Sequence, residues 1–407
     1  MSESISERRL KDQSGTPSAN VSDVFKMLEK AQNVFLELTA TDKKKYEELA
    51  TQFLNDNRSL DIEGTEELLN QFNEINEHKV DYSVPLQDIR AVDFPRLGQN
   101  NKIEFKFDLL TDDHTETHAT ALTMYDARKQ FLTKTFKANT YYEELFKRDE
   151  VEFALNNLRQ LIEKYPDEKY RYRFVIDNKD DVEQYYLRAV VDVSRYKTYD
   201  NGMILFLALM GMEGYQNDTK NKFYVESAVL TDSKISLAFK SKKIVKLKKG
   251  VTVRIGVTVR NSEIADEAAE FRFMYWISYN GKTITLIDEP LFRVNHGYKV
   301  ETNTQGLKQL GNISEREKQI FQAIDDARVY DPMKPGAMEK LFQSLINARQ
   351  KLPENYRSKV EGLHGNTARN TYSLLELFDK FEGFATDLKN DEVLWDIRAR
   401  LNNYILH

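Results

Sequence analysis

Residues 250–263 read G-V-T-V-R-I-G-V-T-V-R-N-S-E. Val251, Val253, Ile255, Val257 and Val259 alternate with Thr252, Arg254, Thr258 and Arg260. Period two over a β-branched run specifies a strand with one buried face. A companion stretch, L-R-A-V-V-D-V-S-R-Y-K-T-Y-D-N at 187–201, opens as a second strand and closes on Asp200-Asn201. Asp200 stands where a helix N-cap belongs. The apolar run from Met203 to Met212 that follows reads as a core helix, since flexible apolar side chains fill core gaps.

Moving outward, the same period recurs. Tyr170, Tyr172, Phe174 and Ile176 oppose Arg171, Arg173 and Val175, and further strands are expected at 186–193, 223–230, 235–240, 244–248, 271–278 and 283–287. Asn280-Gly281 between the last two is a hairpin signal, because both turn positions require positive φ. Upstream, Ile103, Phe105, Phe107 and Leu109 alternate with charged residues as a half-buried strand, and helices are expected at 124–132 and 141–161. The fold class is α+β, a largely antiparallel central sheet with helices before, within and after it.

Four segments follow. Residues 1–20 lack periodicity and read as a mobile N-terminus. Residues 21–80 carry three helical stripes: one from Val24, one from Thr41, and one from Thr65 with Leu68, Leu69, Phe72 and Ile75. They read as an acidic N-terminal three-helix docking unit. Residues 81–300 form the α+β core domain. Residues 301–407 read as helices at 313–328, 337–352, 371–384 and 392–406, with Pro332, Pro335 and Pro353 as breakers.

The chain has 407 residues and no cysteine, which excludes disulfides, thiolate zinc sites and a cysteine nucleophile. No apolar run nears the ~20 residues of a transmembrane helix, and the polar N-terminus has no signal core. The expectation is a protein of the cytoplasm, or of a particle assembled there, without membrane contact. Charge is uneven. Residues 1–170 carry 23 basic and 33 acidic side chains, against 21 and 16 in residues 171–300. The strand-rich middle is therefore mildly basic.

The succession L-R-A (187–189), V-S-R-Y (193–196), D-N (200–201), G-V-T-V-R-N-S-E (256–263) and N-G (280–281) resembles the "phage/plasmid-like protein" family. This is a domain family of bacteriophages, plasmids and bacteria. The resemblance spans residues 120–300, with a looser extension to 385. It implies a mobile-element setting and no established chemistry, with Arg195, Asp200, Asn201, Asn261 and Glu263 as its polar motif residues. A cysteine often placed before that N-G is absent here, where Ser278 and Tyr279 stand.

Each functional constellation competes with a plainer reading. D-D-H-T-E-T-H at 112–118 lacks the H-E-x-x-H order and reads as a solvated connection, not a metal site. Asp200 and Glu263 form a conceivable catalytic carboxylate pair. The plainer alternative is a helix cap and a turn in which side chains bond the backbone. No cofactor motif is present. The polar side of the sheet is the most informative surface. Alternation lines up Arg171, Arg173, Lys240, Arg254, Arg260 and Arg272 with Trp276, and Lys246 and Lys248 lie in the hairpin before Gly250. Cations interleaved with an indole suit single-stranded nucleic acid. The expectation is a non-enzymatic phage or mobile-element protein that binds single-stranded DNA there, in replication or recombination. The alternative is a virion structural or assembly protein, oligomeric or not, that meets phage or host proteins through its N-terminal helices.

Overall fold

A computed structural model of the chain describes residues 4–30, 56–94, 102–110, 116–179, 182–193, 199–294, 313–347, 352–367 and 372–406. Elements are numbered in chain order. One sheet contains β1 (Glu7–Lys11), β8 (Phe223–Thr231), β9 (Lys234–Ser241), β10 (Val245–Lys246), β11 (Thr252–Ser262), β12 (Ala269–Tyr279) and β13 (Lys282–Val294). Its order is β1-β8-β9-β11-β12-β13, with β10 on the start of β11, and every pairing is antiparallel. The other sheet contains β2 (Lys79–Pro85), β3 (Ile89–Asp93), β4 (Glu104–Leu110), β5 (Glu116–Thr123), β6 (Lys169–Lys179) and β7 (Val182–Val191). Its order is β2-β6-β7-β5-β4-β3, with one parallel pair, β5 and β7.

The expected central sheet is therefore two sheets, each with its own core. In the first lobe the inward valines of β11 pack with Phe239, Phe271, Phe273 and Tyr275. Helix α6 (Asn201–Thr219) joins that core through Ile204, Leu205, Ala208 and Leu209. In the second lobe Phe105, Phe107, Tyr172 and Phe174 pack against α3 (Ala127–Phe136), α4 (Asn139–Lys147) and α5 (Val151–Lys164). The Asn280-Gly281 turn holds φ of 49° and 77°, as its hairpin requires. Asp149 at φ 59° breaks the expected 141–161 helix into α4 and α5.

The N-terminal unit needs correction. Residues 7–11 are strand β1, not a mobile end. Helices α1 (Val21–Lys30) and α2 (Thr65–Asn76) are described, while the helix expected from Thr41 lies outside the described residues. Val24, Met27, Leu68 and Phe72 sit in the core of the first sheet, so α1 and α2 are part of that lobe and not a separate unit.

At the other end come α7 (Ile313–Asp326), α8 (Pro335–Ile346), α9 (Glu354–Thr367), α10 (Leu374–Asp387) and α11 (Asp391–Leu406). Helix α9 was not anticipated. These helices extend the first core through Phe342, Phe378, Phe381 and Leu401. The edge strand β13 is covered: Asn402 bonds Tyr275 and Asp288, and Arg316 grips Asp288 at 2.6 and 2.8 Å. Covering an edge removes a site of unwanted strand pairing. Among the described residues no helix is long and apolar enough to cross a membrane.

Candidate functional site

The open cationic platform expected on the sheet is not there. Arg171 and Arg173 belong to β6 of the second sheet and are both buried. The others lie on or beside the first sheet's outer face, which the C-terminal tail reaches. Trp395 of α11 lies under Arg260 at 4.8 Å and Arg272 at 5.9 Å. It packs with Ala238, Met274, Trp276 and Ile287 in a small second cluster. Trp276 is 6% exposed, with Lys240 held 4.4 Å over its ring. Acids neutralise the cations: Lys240 pairs with Glu226 at 2.7 Å, Arg260 with Glu267 at 3.7 Å and Arg272 with Glu270 at 2.7 Å. Arg254 is half-buried opposite Trp276 in register. An indole sealed by a cation and a second indole has no face left for a base to stack on. Lys246 and Lys248 are exposed in the hairpin, Lys248 paired with Asp325 at 2.8 Å.

The motif polar residues instead meet at the junction of the two lobes. On β6 the alternation that sends Tyr172 and Phe174 into the core turns Arg171 and Arg173 to the opposite side. On the neighbouring β7, Arg173 pairs with Ala189 and Phe174 with Leu187, which leaves Arg188 as the extra residue of a β-bulge. A bulge re-aims a side chain within an otherwise regular ladder. Asp81 of β2 lies directly opposite Arg173 in register. The first lobe contributes the end of β11 (Asn261, Ser262, Glu263), the β8–β9 turn (Asp232, Ser233) and the start of α6 (Asp200, Asn201).

These side chains form a buried ionic network. Arg173 Nη2 donates to Asp200 Oδ2 at 2.6 Å, its Nη1 to the Glu263 carbonyl at 2.8 Å, and its Nε pairs with Asp81 at 3.0 Å. Arg188 donates to Glu263 Oε2 at 2.9 Å, to the Phe174 carbonyl at 3.1 Å and to the Asp232 carbonyl. Lys79 Nζ reaches Glu263 Oε2 at 3.1 Å. The Asn201 amide donates to Glu263 Oε1 at 2.9 Å, so Glu263 serves the helix N-terminus while Asp200 serves Arg173. Asn261 Nδ2 donates to Asn201 Oδ1 and the Tyr199 carbonyl. Tyr125 of the second lobe donates to Asp232 at 3.0 Å, joined there by Ser4, and Gln130 bonds the Ile264 carbonyl at 2.6 Å. Arg195 lies outside the described residues.

Among the described residues three cations, Lys79, Arg173 and Arg188, are thus ion-paired with three carboxylates, Asp81, Asp200 and Glu263, with every side chain at most 7% exposed. Buried charges persist only when paired and hydrogen-bonded. Burial pushes Asp200 up to about 6, more than Arg173 beside it pulls down. Burial also acts on Glu263, but Lys79, Arg188 and Arg173 together outweigh it and bring that carboxyl down to about 2. Burial lowers Lys79, against the pull of Glu263. Asp200 Oδ1, Asn201 Nδ2 and Asn261 Oδ1 are buried without a hydrogen-bond partner among the described residues.

Asp200 and Glu263 do come together, as carboxylates spent on the other lobe's cations. Lys79, Asp81, Tyr125 and Asp232 are not among the candidates the sequence offers, and Arg188 enters there only within the L-R-A motif. The signal was Arg188, one arginine inside the apolar run L-R-A-V-V. Among the described residues no group of histidines and carboxylates has the geometry of a metal site. Residues 111–115 lie outside the described residues, and His118 is exposed and bonded to Asp108 at 2.8 Å. The chain matches no family model, no curated protein and no solved structure.

Proposed function

We propose that this chain is a non-enzymatic structural or assembly protein, built as two β-lobes held in one relative orientation by a buried ionic clamp. The observation that carries the reading is the fate of Asp200 and Glu263. Each is ion-paired to an arginine of the other lobe, Arg173 at 2.6 Å and Arg188 at 2.9 Å, which suits fixing geometry and not proton transfer. A general base needs a lone pair within reach of substrate. Most interfaces between domains of one chain permit relative motion; one crossed by buried, hydrogen-bonded ion pairs resists it. The covered outer face of the first sheet weighs against single-stranded DNA as the partner. The mobile-element setting rests on the resemblance and names where to look: virions and assembly intermediates of the element that encodes the chain.

The experiment is quantitative mass spectrometry of purified particles and their intermediates. Stoichiometric presence supports the reading, and absence from both overturns it. Fluorescence anisotropy with labelled single-stranded DNA tests the rival. Salt-sensitive binding abolished by Arg254→Glu with Arg260→Glu, in a folded chain, would restore the polynucleotide role.

A further inference from the structure

Among the described residues the three large apolar side chains most open to solvent, Phe153, Ile244 and Tyr141, fall at two places of opposite charge. Ile244 is 48% exposed at the β9–β11 connection, and residues 242–250 around it carry five lysines and no acid. Lys242 pairs with Glu63 and Lys248 with Asp325, which anchors this hairpin at both ends. Lys243, Lys246 and Lys249, within five residues of Ile244, make no ion pair among the described residues, so this hairpin carries uncompensated positive charge. In the second lobe Tyr141 is 46% and Phe153 53% exposed. They flank Asn157, whose Nδ2 donates to the Tyr141 hydroxyl at 2.9 Å. Residues 141–153 carry five acids and two bases, and Asp149 and Glu150 beside Phe153 make no ion pair among the described residues.

The fold puts these two places at opposite poles. Strand β9 begins and β11 ends at the junction of the lobes, and the hairpin joins their far ends. Eleven residues of β11 carry it roughly 35 Å from that junction, at about 3.3 Å per residue. Helices α4 and α5 pack through Tyr142, Leu155 and Leu158 on the side of the second sheet away from Arg173 and Arg188. A basic knob at one pole and an acidic aromatic patch at the other cannot meet within one copy. They are complementary between copies.

We propose that copies of this chain associate head to tail, the hairpin at 242–250 of one copy seating Ile244 against the Tyr141–Phe153 patch of the next. This rests on the structural reading above and deepens it by naming a second copy as partner. The contact is heterologous, so it propagates into a ring or filament and does not close as a dimer. Salt weakens it, because exposed charge pairs are screened.

Sedimentation velocity of the full chain over a wide concentration range, at low and high salt, tests this. Growth into species larger than dimers at low salt is expected. Ile244→Glu with Lys246→Glu disables the knob, and Phe153→Lys with Glu150→Lys disables the patch. Each lowers the association constant about tenfold or more, as loss of an interface anchor does. Mixing the two variants leaves one working knob facing one working patch, so a single one-to-one dimer forms and stops there. The replaced residues are exposed, and circular dichroism verifies that both variants fold. A chain that stays monomeric overturns the contact, as does self-association of either variant alone, which signifies an isologous interface. Neither result bears on presence in particles, so the structural reading stands or falls separately.

Discussion

Neutralising the two motif carboxylates one at a time produces opposite effects. Glu263→Gln and Asp200→Asn are both near-isosteric, and both residues sit in the same buried network. Glu263 is held down from 4.5 to about 2, so the folded state favours its charge by about 3 kcal/mol. Removing the charge loses about that much and leaves Lys79 and Arg188 under-compensated. Asp200 is pushed up from 3.8 to about 6, so the folded state disfavours its charge by about 3 kcal/mol. Asp200→Asn is therefore near neutral or stabilising at pH 7. The pH signs follow by linkage. Glu263 contributes stability above its unfolded value near 4.5, lost as pH falls toward 2. Asp200 opposes folding above about 6, and that opposition fades as pH falls from 6 toward 4. Among the described residues the groups facing both are Lys79, Asp81, Arg173 and Arg188. Urea unfolding followed by circular dichroism, at pH 7 and pH 5, measures both variants. Glu263→Gln within about 0.5 kcal/mol of the parent, the range of an inconsequential surface change, would refute the reasoning. So would a loss above about 2 kcal/mol for Asp200→Asn at pH 7.

Other consequences are simpler to check. Gly256→Ala should cost about 1–3 kcal/mol by thermal unfolding, since its Cβ would meet the Phe239 carbonyl at 2.0 Å and the Trp276 ring at 2.8 Å. Trp395→Ala should lower stability by about 1–3 kcal/mol, as two cation–π contacts and part of a small apolar cluster are lost. It should also make Trp276 fluorescence more accessible to acrylamide. Tyr125→Phe should cost about 1–3 kcal/mol in urea, because buried Asp232 loses a donor from the opposite lobe.

Local rules carried far along this chain. The Val251–Val259 alternation named a buried face, and all five side chains are in the core. The Asn280-Gly281 turn and the strands around it were equally legible, because backbone conformation there depends on near neighbours. The same rule misled at Arg171 and Arg173. Alternation correctly turned them away from Tyr172 and Phe174, but whether that side meets water or another lobe depends on residues such as Asp200 and Glu263. Arg260 and Arg272 are the same lesson: Trp395, more than a hundred positions on, covers both. The N-terminal helices read as a unit because their stripes were plain. Most of their partner, strands β8 to β13 of the first sheet, lies well over a hundred residues away in the chain.

Periodicity and turn chemistry, acting within a few residues, were enough for the α+β class, most strand and helix positions, and one apolar face of each element. Contacts between distant segments set the rest: that there are two sheets, that the motif carboxylates pair across them, and that the basic face is covered. The sign of a residue's charge is written locally. Whether that charge is solvated, paired or buried depends on the distant groups folding brings within a few ångströms.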